Sequence, residues 1–340
     1  GLLREFDESM RGKVFFCSDL KNIKNALVDV RPTLFLGVPR VWEKLQAVLE
    51  AKLGAATGFK GWLTRWAMAT ELAAYREHEQ TGLAQDSFAR RLANTLVISK
   101  VKDAQGLDRV QAAATGAAPI SLATLEFFAS IGVALVEGYG MSETAGVATC
   151  PRRHGQRFGT VGTALPGVQV RIAEDGEVLL RGPMMTCGYL HDPQQTSELI
   201  DAEGWLHTGD LGQLDGDRYL TITGRKKDIL ITAGGKNVAP AEMEGLLKGI
   251  PGVGQAIVIG DAKPYLAALL TLDEEAVAGF AERFGVATAD ALSRSAPFRA
   301  WLHGEVEAQC NAHVARYQTI KRFDIVPTPF SVEGGELTPT

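Results

Sequence analysis

The stretch Glu137-Gly138-Tyr139-Gly140-Met141-Ser142-Glu143-Thr144 follows directly on an apolar run, Ile131 to Val136, which predicts a buried strand. The glycines on either side of Tyr139 allow a sharp turn and a close approach of the backbone to a ligand. An aromatic ring, two hydroxyls and a carboxylate are the groups with which a nucleotide site stacks on a base, contacts phosphate and ligates Mg²⁺. The alternative is an ordinary strand-to-loop turn, which the same glycines also favour.

A second turn, made of small residues, precedes this stretch. Val110 to Thr115 predicts a strand that ends at Gly116-Ala117-Ala118-Pro119, and Ser121 is placed to cap a helix that Gly132 closes. The order is therefore strand, turn, helix, strand, turn. This alternation predicts a parallel sheet with both turns at the carboxyl ends of its strands, where α/β sheets bind ligands.

The rest of the chain changes from helical patterns to alternating strand patterns along its length. Thr33 to Val38 predicts a strand, Pro39 begins a helix, and residues 59–99 predict two helices broken near Gly82. Large apolar residues at helical spacing usually pack inward, so Trp62, Trp66 and Met68 are expected in the core. After residue 151, short alternating segments joined by Asp-Gly turns predict hairpins.

These segments predict an α/β protein of two domains. Residues 1–159 form part of a large α/β domain with a parallel sheet, and residues 160–223 form a small antiparallel β-barrel within it. The charged run at residues 224–228 is the expected hinge. Residues 229–340 are expected to form a small, mobile and truncated α+β domain.

Composition narrows the class of protein. The chain has 340 residues, of which 46% are hydrophobic and 22% charged, and its net charge of −5 argues against a nucleic-acid partner. Cysteines at 17, 150, 187 and 310 form no CxxC pair, as expected of a reduced cytoplasmic protein. No histidine spacing indicates a metal site, and no apolar run is long enough to span a bilayer.

Four motifs in order carry a resemblance to one superfamily. They are Gly-Ala-Ala-Pro at 116–119, Tyr-Gly-Met-Ser-Glu-Thr at 139–144, Gly-Trp-Leu-His-Thr-Gly-Asp at 204–210 and Gly-Arg-Lys-Lys-Asp at 224–228. Together they resemble the adenylate-forming superfamily of acyl-CoA synthetases, luciferases and peptide-synthetase adenylation domains. Residues 32–44 resemble its long-chain fatty-acid–CoA ligases, and residues 231–240 resemble the bubblegum-type members of that branch.

The resemblance implies the adenylate-forming fold and the activity of an acid–thiol ligase. A fatty acid carboxylate would attack the α-phosphate of ATP with Mg²⁺, and the thiol of CoA would then displace AMP, with rotation of the small domain between the two steps. The partners so implied are a fatty acid, ATP and CoA.

The resemblance also implies roles for the residues that match the motifs. Tyr139 would stack on adenine, Gly140 would belong to the nucleotide site, Ser142 would contact phosphate and Glu143 would bind Mg²⁺, which makes Ser142 and Glu143 the catalytic residues. Ser142 departs from the Thr that the family often has but keeps the hydroxyl. A further group comprises the adenine and acyl pocket loop (Gly116, Ala117, Ala118), the ribose ligands (Asp210, Arg225), the hinge residue (Lys227) and the CoA-side loop (Gly234, Gly235, Lys236).

Each of these roles has a structural alternative. Tyr139 is also suited to a hydrophobic core, Glu143 to an exposed surface, residues 116–118 to a packing turn and Asp210 to a turn cap. The Gly-Gly-Lys run at 234–236 lacks the GxxxxGK[ST] pattern of a phosphate loop, so that interpretation is rejected.

Two segments of the family pattern have no counterpart here. The phosphate loop that lies upstream in the family is missing, and residues 335–340 match only the lead-in to its catalytic lysine. The expectation is therefore an internal fragment that cannot complete adenylation by itself.

Three other functions compete with that of a long-chain ligase. An adenylate-forming ligase for an aryl, medium-chain or carrier-linked acid and a truncated non-catalytic nucleotide-binding protein both stay open. A dinucleotide oxidoreductase is disfavoured because no GxGxxG follows a first strand.

Peripheral contact with the inner face of a membrane is a further expectation, because long-chain acids partition into bilayers. Phe59, Trp62 and Trp66 are the candidate contacts, and a buried helix pair would account for the same residues.

Overall fold

The computed structural model describes residues 13–15, 17, 22–82, 86–118, 120–152 and 155–335. Pro119 of the second turn and residues 336–340 of the lead-in lie outside the described residues. The described chain divides into two compact units. The first comprises the residues up to Thr208 together with Gly212–Ile222, and the second comprises Gly209–Leu211 together with the residues from Thr223 onward.

The helices and strands of the first unit occur in this order: α1 (Ile23–Val30), β1 (Leu34–Leu36), α2 (Pro39–Gly54), α3 (Gly58–Thr81), α4 (Phe88–Ala93), α5 (Ser99–Ala104), β2 (Ala112–Thr115), α6 (Leu122–Ser130), β3 (Leu135–Glu137), β4 (Tyr139–Met141), β5 (Gly146–Cys150), β6 (Thr163–Ala164), β7 (Gln169–Ile172), β8 (Glu177–Arg181) and α7 (Pro193–Leu199). Two longer strands, β9 (Leu206–Leu214) and β10 (Leu220–Arg225), carry the chain on into the second unit.

Strands β1, β2 and β3 form the predicted parallel sheet, in that order. Helices α2 and α6 pack on it through Trp42 and Phe128, both fully buried, whose ring centroids lie 5.0 Å apart. The predicted cap of α6 is confirmed, since Ser121 Oγ accepts a hydrogen bond of 3.1 Å from Thr124 N. Apolar side chains at helical spacing thus bury one face of each helix against the strands.

The helical segment between β1 and β2 differs from the prediction at one residue, Trp62. Helix α3 ends at Thr81, with Gly82 in the left-handed region at φ +69°, which confirms the predicted break. A π-helical turn, Asn94–Ile98, joins α4 to α5. Trp66 and Met68 pack against the buried core of these helices, but the side chain of Trp62 is 53% exposed, so its assignment to the core is wrong.

Antiparallel strands follow the parallel sheet. The sheet β4-β5-β6 begins inside the Tyr139 motif, and a second sheet has the order β10-β9-β8-β7. Its β7–β8 hairpin, with Ile172 opposite Val178, is the predicted one. Val168, Val170, Val178, Leu180 and Leu220 form the buried core of this β region.

The second unit is an α+β layer with its own core. Its elements are β11 (Leu230–Ile231), β12 (Asn237–Val238), α8 (Pro240–Lys248), β13 (Val253–Ile259), β14 (Leu266–Leu272), α9 (Glu274–Phe284), α10 (Ala289–Arg294), α11 (Ala296–Gln309) and β15 (Ile320–Val326). Strand β14 pairs antiparallel with β13 and parallel with β15. Buried Met243, Phe298 and Leu302 bring α8 and α11 into one core with the sheet. None of the helices described here is long and apolar enough to cross a membrane.

Candidate functional site

The two sequence turns meet at the carboxyl edge of the parallel sheet, as predicted. Thr115 lies opposite Glu137 in the register of β2 and β3, and Gly138 N donates to Thr115 O at 3.1 Å. A Cβ atom on Gly116 would lie 3.1 Å from Gly138 O, which is tighter than ordinary contact. The small residues of the first turn therefore let it approach the glycine turn closely.

The backbone of the Tyr139 motif is fixed by strand pairing and by the side chain of Thr144. Strand β4 pairs with β5, and a Cβ atom on Gly140 would lie 1.9 Å from Gly146 O, so only glycine fits there. Thr144 is fully buried, and its Oγ1 accepts from Met141 N at 3.0 Å while it lies 2.6 Å from Gly146 O. The motif is thus a rigid β-turn-β unit that carries Ser142 and Glu143 on a 3₁₀ turn between its strands.

The residues predicted to surround adenine differ in exposure. Ala117 and Ala118 are exposed, and Ala117 adopts φ +70°, which is strained for a residue with a Cβ atom. Tyr139 is partly buried and packs against the core of the β region. Tyr139 therefore has a packing role at the sheet edge, and the residue as a whole keeps part of its surface exposed.

Glu143 is held from outside its motif. Its Oε1 accepts a hydrogen bond of 2.6 Å from Tyr189 Oη, and its main-chain O accepts one of 2.7 Å from Thr186 N. Donation to the Glu143 carboxylate raises the pKa of the Tyr189 hydroxyl, which therefore stays protonated at neutral pH. Sequence analysis missed Tyr189, since the only signal there is an aromatic residue after Gly188.

The carboxylate of Glu143 is the predicted Mg²⁺ ligand. Among the described residues, no group of three or more His, Cys, Asp or Glu side chains could hold a metal ion by itself. Mg²⁺ usually keeps several waters and binds through one or two carboxylates plus substrate phosphates. A single carboxylate on a rigid turn fits an ion that arrives with the nucleotide and does not fit a resident metal.

Asp210 and Arg225 form an ion pair within the second unit. Arg225 Nε lies 3.0 Å from Asp210 Oδ1, the Asp210 side chain is 11% exposed and the Arg225 side chain is 69% exposed. Both residues were predicted to bind the ribose, and in the structure their side chains bind each other. The pairing fixes one oxygen of a buried carboxylate by a charge-assisted bond.

The predicted hinge residue and CoA-side loop are exposed. Lys227 lies on a 3₁₀ turn, Lys226–Asp228, directly after β10. Gly234, Gly235 and Lys236 form the tip of the β11–β12 hairpin, where Gly235 has φ +72° and its N donates to Thr232 O at 2.8 Å. Glycine adopts this conformation without strain, whereas a residue with a Cβ atom would be strained there.

A partly buried carboxyl group begins the Tyr139 motif, and sequence analysis assigned it no role. Burial raises the pKa of Glu137 to about 7, and a hydrogen bond from the backbone of Gly159 opposes that rise. The neighbouring segment is clamped by Glu79 Oε1, which accepts from Phe158 N at 2.6 Å, and by the ring of Tyr75, whose centroid lies 4.6 Å from that of Phe158.

A family model described as AMP-binding enzyme matches residues 11–190, which is more than half of the chain. The chain belongs to the AMP-binding enzyme family. A second model, described as AMP-binding enzyme C-terminal domain, matches residues 227–331. The resemblance drawn from the four sequence motifs is thereby confirmed.

Curated members of this family are similar along nearly the whole chain. A putative fatty-acid–CoA ligase, fadD11 of Mycobacterium tuberculosis, is 41% identical over 331 residues, covering 95% of this chain and 57% of the relative. The long-chain-fatty-acid–CoA ligase FadD15 of Mycobacterium bovis is 40% identical, covering 96% of this chain and 54% of the relative. The long-chain-fatty-acid–CoA ligase ACSBG1 of Bos taurus is 37% identical, with coverages of 94% and 47%. The chain thus spans about half the length of these relatives.

Solved structures confirm the fold class. An ATP-bound RpMatB-BxBclM chimera is 25% identical with a TM-score of 0.58, covering 91% of this chain and 50% of that one. The adenylation domain of a carboxylate reductase from Mycobacterium chelonae is 23% identical with a TM-score of 0.66, with coverages of 94% and 45%. The chain therefore has the mixed α/β architecture of AMP-binding enzymes, with the Tyr139 motif at its sheet edge.

Proposed function

We propose that this chain takes part in ATP-dependent activation of a long-chain fatty acid to an acyl-adenylate, followed by thioester formation with CoA. The observation that carries the proposal is the close approach of the Gly116 turn to the Tyr139 motif at the carboxyl edge of the sheet. The long-chain-fatty-acid–CoA ligase relatives support the acid and the acceptor.

The proposed roles in the first unit follow from chemistry and position. Tyr139 and the Gly116, Ala117 and Ala118 loop receive the adenine, since a flat ring beside small residues accepts a base by stacking. Gly140 contributes its backbone to the nucleotide site, and the exposed Ser142 hydroxyl donates to the phosphates. Glu143 offers its carboxylate to Mg²⁺ carried by ATP, and the ion would offset phosphate charge.

In the second unit, the proposed roles concern ribose, rotation and CoA. Asp210, oriented by Arg225, accepts from ribose hydroxyls. Lys227 is the proposed point of rotation between the two reaction steps. Gly234, Gly235 and Lys236 are proposed to face CoA, where a basic exposed hairpin suits an anionic ligand.

The reaction is tested by fatty-acid-dependent exchange of pyrophosphate into ATP, measured on the complete gene product. Palmitate, a very long-chain acid, benzoate and acetate form the panel. Exchange with the long acids alone is the expected result. Exchange with benzoate or acetate instead would favour a ligase for another acid, and nucleotide binding without any exchange would favour the non-catalytic alternative.

Glu143→Gln is expected to slow this exchange by roughly 100-fold, about 2.7 kcal/mol of transition-state stabilisation. Glutamine keeps an oxygen for the Tyr189 hydroxyl but loses the negative charge that a cation needs. The matched control is Glu203→Gln, a carboxylate whose side chain is 71% exposed, which should exchange at the wild-type rate. Equal rates for Glu143→Gln and wild type would remove Glu143 from the reaction.

Peripheral membrane contact is the second proposal, and it rests on α3. Phe59 and Trp62 are 75% and 53% exposed, and the rings of Phe59, Trp62 and Trp66 stack in succession with centroids 5.6 and 6.4 Å apart. Exposed Lys60 and Arg65 lie on the same helix. Aromatic and basic side chains on one helix suit the interface of an anionic bilayer.

Co-sedimentation with vesicles of phosphatidylcholine and phosphatidylserine tests this contact. The double variant Phe59→Ser, Trp62→Ser is expected to lose about 30-fold in vesicle affinity, since each buried aromatic contributes on the order of 1 kcal/mol. Tyr317→Ser, at a residue of the second unit that is 48% exposed, is the control. Unchanged binding of the double variant, or no binding of the wild type, would contradict the proposal.

A further inference from the structure

The segment Thr186–Thr196 reaches Glu143 in two places, once through its main chain and once through its side chain. Thr186 N donates to Glu143 O at 2.7 Å, and Tyr189 Oη donates to Glu143 Oε1 at 2.6 Å. The first contact fixes the backbone at Glu143, and the second fixes the rotation of its carboxylate. These are separate restraints on one residue, which lies about 45 residues earlier in the chain.

Tyr189 is itself held in place by helix α7. Its N donates to Thr196 Oγ1 at 2.9 Å, and the same hydroxyl donates to Asp192 O at 2.7 Å. A Cβ atom on Gly188, which has φ +140°, would lie 2.5 Å from Thr196 Cγ2, so this approach of the loop to the helix requires glycine. A continuous chain of contacts therefore runs from Thr196 through Tyr189 to the Glu143 carboxylate.

We propose that Tyr189 is a positioning residue for Glu143: its hydroxyl holds Oε1 and so orients the carboxylate that would ligate Mg²⁺ carried by ATP. The inference rests on the proposed function, in which Glu143 is the cation ligand. A free carboxylate rotates among equivalent orientations, and a single short donor from a fixed ring selects one of them. Groups that orient a metal ligand in this way typically change metal affinity by roughly 10- to 100-fold when removed.

The variant Tyr189→Phe keeps the ring and removes only the donor. The measurement is binding of a fluorescent ATP analogue to the complete gene product, first in EDTA and then across a titration of free Mg²⁺. We expect the Mg²⁺ concentration at half-maximal enhancement to rise about 10-fold, while the affinity in EDTA stays within about twofold of wild type. Comparing the two measurements separates positioning from general damage to the site, because damage would weaken nucleotide binding both with and without Mg²⁺.

Two variants of Thr196 test the chain of contacts behind Tyr189. Thr196→Val removes the hydroxyl that holds the Tyr189 backbone and should raise the Mg²⁺ requirement in the same direction. Thr196→Ser keeps that hydroxyl and should restore the wild-type requirement. Tyr317→Phe, at an exposed tyrosine of the second unit, is the control and should change neither measurement.

The outcomes separate this inference from the function on which it rests. A wild-type Mg²⁺ response retained in full by Tyr189→Phe overturns the positioning role and leaves the proposed function intact. Equal weakening with and without Mg²⁺ also overturns it, because that is the behaviour of a merely structural residue. A wild-type protein whose nucleotide binding ignores Mg²⁺ overturns the proposed role of Glu143 itself, and the positioning role with it.

Discussion

Trp42→Ala is expected to lower the free energy of unfolding of the first unit by about 4 kcal/mol, because it empties the largest fully buried position beside the parallel sheet. The indole packs against Phe35 and Phe128, with ring centroids 4.8 and 5.0 Å away. Urea denaturation followed by far-ultraviolet circular dichroism measures the loss without depending on the fluorescence of the removed residue.

The matched control is the same substitution at an exposed tryptophan. Trp62→Ala, at a side chain that is 53% exposed, should cost less than about 1 kcal/mol. If the two variants unfolded at the same urea concentration, the core described around Trp42 would be wrong.

Trp42 also connects the core to the candidate site. Its Nε1 lies 3.0 Å from Gly37 O and 3.2 Å from Ala114 O, two residues before the Gly116 turn. Trp42→Phe keeps most of the apolar volume but leaves these carbonyl groups without the indole donor. Loss of that donor is expected to loosen the end of β2, and this would link stability of the sheet to the geometry of the turn.

Local sequence patterns were sufficient to predict helices that begin at a proline and bury one apolar face. The helix Pro39–Gly54 has a proline at its first position and apolar residues at helical spacing, and its start at Pro39 was predicted. In the second unit, the helix Pro240–Lys248 likewise has a proline at its first position. The adjacency of the two turns followed because parallel strands place their carboxyl ends at one edge.

Elements defined by distant partners were not predicted. Strand β15, with the sequence Ile-Lys-Arg-Phe-Asp-Ile-Val at 320–326, has no clean alternation, and it forms because it pairs in parallel with β14. Helix α7 is only seven residues long and has one buried side chain, Leu199. The contact of Tyr189 with Glu143 joins two loops, and no local pattern encodes such a contact.

The two ribose candidates illustrate the same limit. Asp210 and Arg225 were identified from two different motifs. Neither motif indicates whether the two side chains are in contact. They lie in one unit because β9 and β10 run side by side, so the ion pair is a consequence of strand pairing. The residue types of the candidate site could therefore be predicted from the sequence. The contacts that orient these side chains depend on the fold and could not.

Glu137→Gln is expected to stabilise the first unit at high pH and to have little effect at low pH. Burial raises the pKa of Glu137 from 4.5 to about 7, so the folded state holds this proton more tightly than the unfolded state does. The resulting stabilisation is complete below pH 4.5 and is lost as the pH rises through 7. Above that, the ionised carboxylate costs on the order of 3 kcal/mol relative to the protonated form, at 1.36 kcal/mol per pKa unit.

Glutamine has the shape of the protonated acid and retains an oxygen for the backbone of Gly159, but it cannot ionise. The difference in unfolding free energy between Glu137→Gln and wild type should therefore grow with pH and level off once Glu137 is ionised in both states. Urea denaturation at a series of pH values measures this difference, and groups that titrate equally in both proteins cancel in it.

The control is Glu203→Gln, at an exposed carboxylate, which should give a difference in unfolding free energy that does not change with pH. A flat difference for Glu137→Gln as well would show that this carboxyl is not desolvated, and the tight packing of residues 156–159 around the start of the Tyr139 motif would have to be revised.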